Sequence, residues 1–202
     1  MPQDDISLIA FGPVEIARRI CIPQRDEMRT LLEKYFSDVN HVHHIVHIPT
    51  LRNTVERIYD AVDTNAPTNI GVMVLVLSIC CASTRAWSLQ DDGRLLYVSA
   101  QEVRSQSILW LKASLDALDH AERTTHKSLE CVQGATILFF VLCNMGGLSR
   151  TARAFHTRVI SMAKELSLHK IDAPGNTQVC RMKTSAIEAS RRVWWLLVAL
   201  DW

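Results

Sequence analysis

The stretch of sequence that decides the fold is Glu188-Ala-Ser-Arg-Arg-Val-Trp-Trp-Leu-Leu-Val-Ala-Leu-Asp-Trp202. Arg191 and Arg192 follow Glu188 by three and four residues, so both guanidinium groups reach its carboxylate if the segment is helical. Apolar side chains continue along the same helix. They are Trp194, Trp195, Val198 and Trp202. Because the segment holds no nucleophile with a base and no pair of metal ligands, it predicts a packing helix.

Upstream of this segment, apolar side chains recur every three to four residues almost everywhere from Arg25 onward. The clearest case is a helix expected after Arg25, with Asp26 and Glu27 in its first turn, where the helix dipole favours acids. Its apolar face is Met28, Leu31, Leu32, Tyr35 and Phe36. A second helix is predicted after Pro49, with Thr50 as its N-cap.

Five more helices complete the predicted fold. They are the apolar run from Ile70, a helix over about 95 to 118, the run from Leu129 to Cys143, a helix capped by Ser149, and the closing segment. The inner face expected for the helix over 95 to 118 is Val103, Leu111, Leu115 and Leu118. Apart from an ambiguous stretch over 72 to 79, no alternating pattern indicates a strand. The sequence therefore predicts an all-α fold of about seven helices in stacked antiparallel pairs, without a sheet.

Length and charge limit the organisation and the partners. A chain of 202 residues fits one domain, which we expect over residues 25–202 after an N-terminal extension over 1–24. The net charge of +1 gives no field that attracts a polyanion, so direct contact with DNA is not expected. The most apolar run, Ile70 to Ala82, is thirteen residues long and shorter than the roughly 20 that span a membrane. We therefore predict no membrane partner.

The cysteines are scattered. They are Cys21, Cys80, Cys81, Cys131, Cys143 and Cys180. No Cys-x-x-Cys spacing occurs, and isolated cysteines in apolar helices are typical of free, buried thiols in a reducing intracellular compartment. The spacing therefore predicts neither a disulfide framework nor a zinc cluster.

One cluster could carry metal chemistry and leaves an enzyme open as the alternative function. His43 and His47 are four residues apart, which on a helix places both rings on one side, as in zinc sites. The whole set is His41, His43, His44 and His47. Against it, no acid or cysteine lies nearby in sequence to complete a tetrahedral site. The alternative hypothesis is a small helical metal-dependent enzyme. The expected structural role of this segment is a turn between two helices.

Two further candidates for chemistry have simple structural interpretations. The pair Asp91-Asp92 could hold magnesium, but no third acid follows, so a solvated turn is expected. Cys131 or Cys143 could be a nucleophile only if His126 or His156 lay beside it as a base. Burial would raise the pKa of either thiol, so core cysteines are the prediction. No catalytic residue, metal site or cofactor is assigned.

The closing segment and the helix before it resemble the fungal-specific transcription factor domain, the middle homology region of fungal zinc-cluster regulators of the xylanolytic-activator type. The positions that match its signature are Met162, Ala163, Leu168, His169, Glu188, Arg191, Arg192, Trp194, Trp195 and Asp201. Ser167 stands where the family usually has glycine. Weaker similarity includes residues 129–133, Gly146-Gly147 and the entry segment over 35–50, so the resemblance covers about residues 30 to 202.

This resemblance implies a regulatory domain that restrains or releases RNA polymerase II transcription in the nucleus, in response to a small-molecule effector or a regulatory protein. The DNA-binding zinc cluster of the family is a separate module, and the cysteines here cannot form it. A further hypothesis is that the chain forms a homo- or heterodimer. In one such case it is a helical scaffold that dimerises with a full-length regulator and inhibits it. The motif residues are expected to be structural.

Two expectations concern apolar surface. An effector or partner helix is expected in the space between the helix over 129–143 and the helix over 154–168. The family domain continues beyond Asp201, so the closing helix is expected to be incompletely covered, with poor solubility or oligomerisation as the consequence. The side chains expected to be incompletely covered are Val193, Trp194 and Val198.

Overall fold

The computed structural model describes residues 7–9, 20–88, 96–97, 99–124, 127–174, 176 and 182–201, with the backbone alone at 7–9 and 20. The described helices are α1 Arg25–Lys34, α2 Asn40–His43, α3 Ile48–Asp63, α4 Ile70–Arg85, α5 Ala100–Arg123, α6 Leu129–Gly146, α7 Arg150–Glu165 and α8 Thr184–Ala199. A π-helical turn, Tyr35–Val39, joins α1 to α2, and a 3-10 turn, Leu168–Lys170, follows α7. Since α2 is a single turn of 4 residues, seven longer helices remain in the described part, which confirms the predicted all-α fold.

A small antiparallel ladder precedes the helices. Strands β1, Ser7–Ile9, and β2, Ile20–Ile22, pair with Leu8 opposite Cys21. The sequence analysis expected no sheet, and strands of three residues are too short to show an alternating pattern. The ladder leaves the all-α class unchanged.

Ion pairs on the surface fix the direction of α1 relative to α3. Arg25 at the start of α1 donates to Asp63 at the end of α3, with 3.1 Å from Nη2 to Oδ2. One turn further along α1, Arg29 donates through Nε to Oε1 of Glu56 at 2.8 Å. Residue numbers rise along α1 as they fall along α3. The two helices are therefore an antiparallel pair.

The pair α6 and α7 follows the same rule. Lys127 before α6 forms an ion pair with Glu165 at the end of α7, and the ring of Phe139 in α6 lies 4.7 Å from that of His156 in α7. Numbers again rise in one helix and fall in the other. Antiparallel stacking is thus present in these two helix pairs.

Helices α4 and α6 form the centre of the domain. Every residue of α4 from Met73 to Thr84 is buried, as are the residues of α6 from Cys131 to Phe139. Within the described residues, α6 is the one helix long and apolar enough to cross a membrane, but 56% of that window is buried inside the protein. Because α4, α5, α7 and α8 all contact it, α6 is accounted for as a core helix.

Helix starts depend on short polar side chains, as the sequence analysis predicted for Ser149. The Ser149 hydroxyl accepts a hydrogen bond from the amide of Ala152, which satisfies one free N–H of the first turn of α7. The predicted cap of α3 is wrong. That helix begins at Ile48 with His47 as N-cap, and Thr50 lies inside its first turn, because Pro49 is tolerated at that position and does not exclude helix before it.

The predicted inner face of α5 is confirmed at Leu118, which is fully buried, and in part at Val103, Leu111 and Leu115, which pack against the core but are only partly buried. The buried residues of this helix are Ser107, Trp110, Ser114, Ala117, Leu118 and Ala121. Small side chains let α5 lie close to α4, whereas Leu111 and Leu115 are only partly buried and Ile108 is exposed. The sequence analysis assigned the inner face of α5 from large apolar side chains, whereas close packing against α4 buries mainly small side chains.

Candidate functional site

The rings of the histidine segment, His41 to His47, do not come together at one point. The ring of His43 is buried, 4.4 Å from the ring of Phe140 and 6.5 Å from that of Tyr35. The Nδ1 of His47 is 2.7 Å from the hydroxyl of Thr50, on the surface. These rings point in different directions, so the four histidines do not converge.

The wider search for metal ligands gives the same result. Among the described residues, no group of three or more histidine, cysteine or acidic side chains is placed to hold a metal ion. The alternative hypothesis of a metal-dependent enzyme built on His41, His43, His44 and His47 is therefore not supported by the geometry. The pair Asp91-Asp92 lies outside the described residues.

Burial works against the candidate nucleophiles, because it raises the pKa of both thiols. Burial raises the pKa of the Cys131 thiol to about 12, so the thiolate is a minor form at neutral pH. Cys143 is only half-buried, which corrects its predicted core position, and desolvation still raises its pKa. Cys131 and Cys143 are free, as are the other cysteines of the described part. His156 packs on Phe139, and His126 and Cys180 lie outside the described residues.

Two open clefts lie on either side of the histidine segment. The first has a volume of about 540 Å³ and lies between the segment and the helices α4 and α6. We call it the histidine groove. Its side chains include Asp38, Val42, His43, Arg85, Phe140 and Asn144. The second, of about 380 Å³, lies between the segment and the start of α8, and we call it the α8 cleft.

The lining of the histidine groove is mixed, with apolar side chains from α6 and the histidine segment and charged side chains at Asp38 and Arg85. Val42 is 53% exposed at the edge, and Phe140 is partly buried behind it. At the rim, Lys34 donates to Asp38 at 2.5 Å and holds the pKa of this carboxyl below its usual value. Arg85 at the end of α4 is exposed and has no ion-pair partner among the described residues.

Two of the family-motif side chains, Glu188 and Arg192, line the α8 cleft. As predicted, the carboxylate of Glu188 accepts hydrogen bonds from Nη1 of Arg191 at 2.5 Å and from Nε of Arg192 at 2.8 Å. Arg191 also contacts Asp172 with Nη2 at 2.6 Å from Oδ1. The Nη1 of Arg192 lies 3.5 Å from the carbonyl oxygen of His44. These contacts connect α8 to the loop after α7 and to the histidine segment.

Three of the seven remaining motif residues are in the core, and the other four are partly buried or exposed. Met162, Ala163 and Leu168 are buried, and the ring of His169 lies 5.7 Å from that of Trp194. Asp201 is exposed, with its Oδ1 3.8 Å from Nδ1 of His156.

Ser167 has φ of 58° and a left-handed backbone. Glycine adopts this conformation at no steric cost, which explains why the family usually has glycine there.

The coverage of α8 differs from the prediction at two positions. Val193 is fully buried, so its predicted exposure is wrong. Trp195 is 60% exposed and does not belong to the buried stripe. The buried face of α8 is Ala189, Ser190, Val193 and Leu197. Trp194 and Val198 are partly buried, as expected, and Trp202 lies outside the described residues.

The predicted apolar space between α6 and α7 is filled. Phe139 packs against His156, and Val159 and Ala163 of α7 are fully buried. The open volume lies instead beside the histidine segment. Sequence reasoning missed Arg85 and Phe140, since nothing in the sequence shows that the end of α4 and the middle of α6 meet one turn of chain around His43.

Taken together, fold and site define an all-α domain with open clefts and, within its described part, no catalytic constellation. The sequence matches the fungal specific transcription factor domain over residues 32–202. The chain belongs to this family.

Three relatives extend the comparison. The chain is 31% identical to the probable transcription factor lepB of Aspergillus flavus, over 91% of this chain and 33% of that protein. It is 27% identical to the transcription factor TAS2 of Pyricularia oryzae, over 90% of this chain and 23% of that protein. It is 24% identical to the agnestins biosynthesis cluster transcription factor AgnL11 of Paecilomyces divaricatus, over 90% of this chain and 26% of that protein. The chain thus spans about a third or less of these relatives. No solved structure matches it.

Proposed function

We propose that this chain is the regulatory part of a fungal zinc-cluster transcription factor, and that it controls RNA polymerase II transcription in the nucleus without contacting DNA itself. The observation that carries the proposal is the family match over residues 32–202, in a domain with open clefts on both sides of the histidine segment. Clefts of this size suit small molecules. The net charge of +1 supports the absence of direct DNA binding.

A reporter experiment tests the regulatory function. The chain is inserted between a heterologous DNA-binding domain and an activation domain, and the control carries a flexible linker of equal length. We expect the chain to lower reporter expression severalfold, because a regulatory domain restrains the attached activation domain. Equal expression from both fusion proteins would contradict the proposal.

A second experiment tests the claims about DNA and location. Fluorescence anisotropy with a labelled duplex at low salt should show no binding, because affinity for DNA depends mainly on positive charge. A fluorescent fusion of a full-length regulator that carries this chain should be nuclear. Tight binding of the isolated chain to duplex DNA would contradict this part of the proposal.

Partner binding is the form of regulation that exposed apolar side chains favour. Ile108 and Leu109 on α5 are 60% and 49% exposed, and Trp195 on α8 is 60% exposed. Such side chains are common at sites of association when they cluster. Sedimentation of the purified chain at increasing concentration measures self-association, and Ile108→Lys should reduce it while leaving the helix content unchanged.

A further inference from the structure

The histidine groove combines apolar walls with one cation that has no partner among the described residues. Its apolar side chains come from two parts of the fold. Val39 and Val42 lie at or before the histidine segment, and Ile137, Phe140 and Val141 lie on α6. A volume of about 540 Å³ is within the range of pockets that bury small ligands. These walls favour a ligand with an apolar body.

The charges at the rim favour an anion. Asp38 is already neutralised by Lys34 at 2.5 Å and also accepts from the hydroxyl of Ser37 at 2.5 Å. Arg85 is exposed and lies on the opposite helix, with no carboxylate bound to it in the described part of the chain. A guanidinium group binds carboxylates through two parallel hydrogen bonds. The guanidinium group of Arg85 is therefore the charged group of the groove that is available to bind an anion.

The ring of His43 is buried beside the groove. Its centroid lies 4.4 Å from that of Phe140, with the two rings tilted by 41°. Burial lowers its pKa to about 4, so the ring is uncharged at neutral pH and does not compete with Arg85 for an acid. Its Nδ1 is buried without a hydrogen-bond partner in the described residues.

We propose that the histidine groove binds a small carboxylic acid with an apolar, ring-bearing body, whose carboxylate pairs with Arg85 and whose ring packs on Phe140 and Val42. This rests on the regulatory function proposed above and names the class of effector. The groove also suggests how binding reaches α8. The histidine segment forms one wall of the groove, and its His44 carbonyl faces Arg192. A ligand that holds this segment in place therefore stabilises a contact of α8.

Binding is measured by isothermal titration of the 202-residue chain with phenylhexanoate and with its uncharged amide, phenylhexanamide. Both probes carry the same apolar body, so their difference isolates the carboxylate. A pair between exposed charges is worth about 1 kcal/mol at most, which corresponds to about fivefold tighter binding of the acid. Arg85→Gln should remove this preference and leave binding of the amide unchanged.

Two variants separate the site from general effects. Arg57→Gln removes one exposed arginine of α3 away from the groove and should retain the preference for the acid. Val42→Asp places a charge on the apolar edge and should weaken binding of both probes. Circular dichroism melting checks that each variant is folded.

The proposal is overturned if neither probe binds, if acid and amide bind equally, or if Arg57→Gln lowers the preference as much as Arg85→Gln. Equal binding that Val42→Asp abolishes would assign the groove to an uncharged ligand or a partner helix. Any of these results leaves the reporter experiment unaffected. Failure of the acid proposal and failure of the regulatory function are thus distinguishable.

Discussion

Gly134 of α6 lies against the backbone of Leu75 of α4, so closely that a Cβ at position 134 would be 2.8 Å from the Cα of Leu75. One turn earlier, a Cβ at Gly71 would be 3.2 Å from the Cβ of Cys131. Residue numbers rise together along the two helices, so the central pair α4 and α6 runs parallel. Close approach at Gly134 holds the centre of the domain together.

Gly134→Ala should destabilise the domain by about 1–3 kcal/mol, because the added methyl group meets backbone atoms that cannot move independently. Urea denaturation followed by circular dichroism measures the change. Gly146→Ala is the matched control. It lies at the end of the same helix with nothing within 4 Å of the new Cβ, and alanine's higher helix propensity should stabilise it by up to about 1 kcal/mol. A loss of stability in both variants would argue against the close helix contact.

The helices could be predicted from sequence because their apolar spacing is local. The direction and closeness of α4 and α6 could not, since a single glycine in an apolar run gives no sign of which backbone it faces. The same limit applies to the candidate site. His43 and Arg85 are far apart in sequence, and only the packing of α2 against α4 and α6 brings them to one groove.

Acid should destabilise the domain through His43. Burial lowers its pKa from the ordinary 6.5 to about 4, so between these values the unfolded chain binds more protons than the folded one. The contribution of neutral His43 to the free energy of unfolding is fully present above pH 6.5. It is lost as the pH falls towards about 4, by on the order of 3 kcal/mol. Urea midpoints measured between these pH values test this.

Replacing His43 by Phe should flatten the pH dependence in this window, because the ring is retained and the titrating group is removed. His41→Gln serves as the control, since His41 is exposed. Acidic residues also lose stabilising contacts at low pH, so the informative quantity is the difference between wild type and His43→Phe. Identical pH profiles for these two proteins would show that His43 is not buried in the neutral form.

Arg158 of α7 connects this helix to α5. Its Nε and Nη2 donate to the two carboxylate oxygens of Glu122 at 2.9 Å and 2.8 Å, and it also contacts Asp119. Arg158→Met should cost about 1 kcal/mol, more than a typical exposed pair, because the contact is bidentate and partly buried. A double-mutant cycle with Glu122→Gln measures the coupling.

The control for this cycle is Arg153→Met. Arg153 is exposed on the same helix, and its loss should change stability by about 0.5 kcal/mol or less. If the two methionine variants unfold at the same urea concentration, the contact between α5 and α7 contributes nothing measurable.

Neighbouring positions of α8 should respond oppositely to truncation. Val193 is fully buried, so Val193→Ala should cost about 1–3 kcal/mol by removing methyl groups from the core. Trp195 is 60% exposed, and Trp195→Ser should change stability by about 0.5 kcal/mol or less while reducing self-association. Denaturation curves and sedimentation measure both effects. A large loss of stability in Trp195→Ser would place this side chain in a contact that the described structure does not contain.

Ser167 is a position where a substitution should improve the domain. Its φ of 58° places a side chain in the left-handed region, which costs non-glycine residues roughly 1–2 kcal/mol. Ser167→Gly should therefore raise stability by about 0.5–1 kcal/mol, the remainder being offset by the greater freedom of glycine in the unfolded chain. The same substitution at Ser105, exposed in the middle of α5, should lower stability by about 0.5 kcal/mol. A higher melting temperature for Ser167→Gly and a lower one for Ser105→Gly would verify the left-handed turn between α7 and Leu168. A loss of stability in both variants would contradict it.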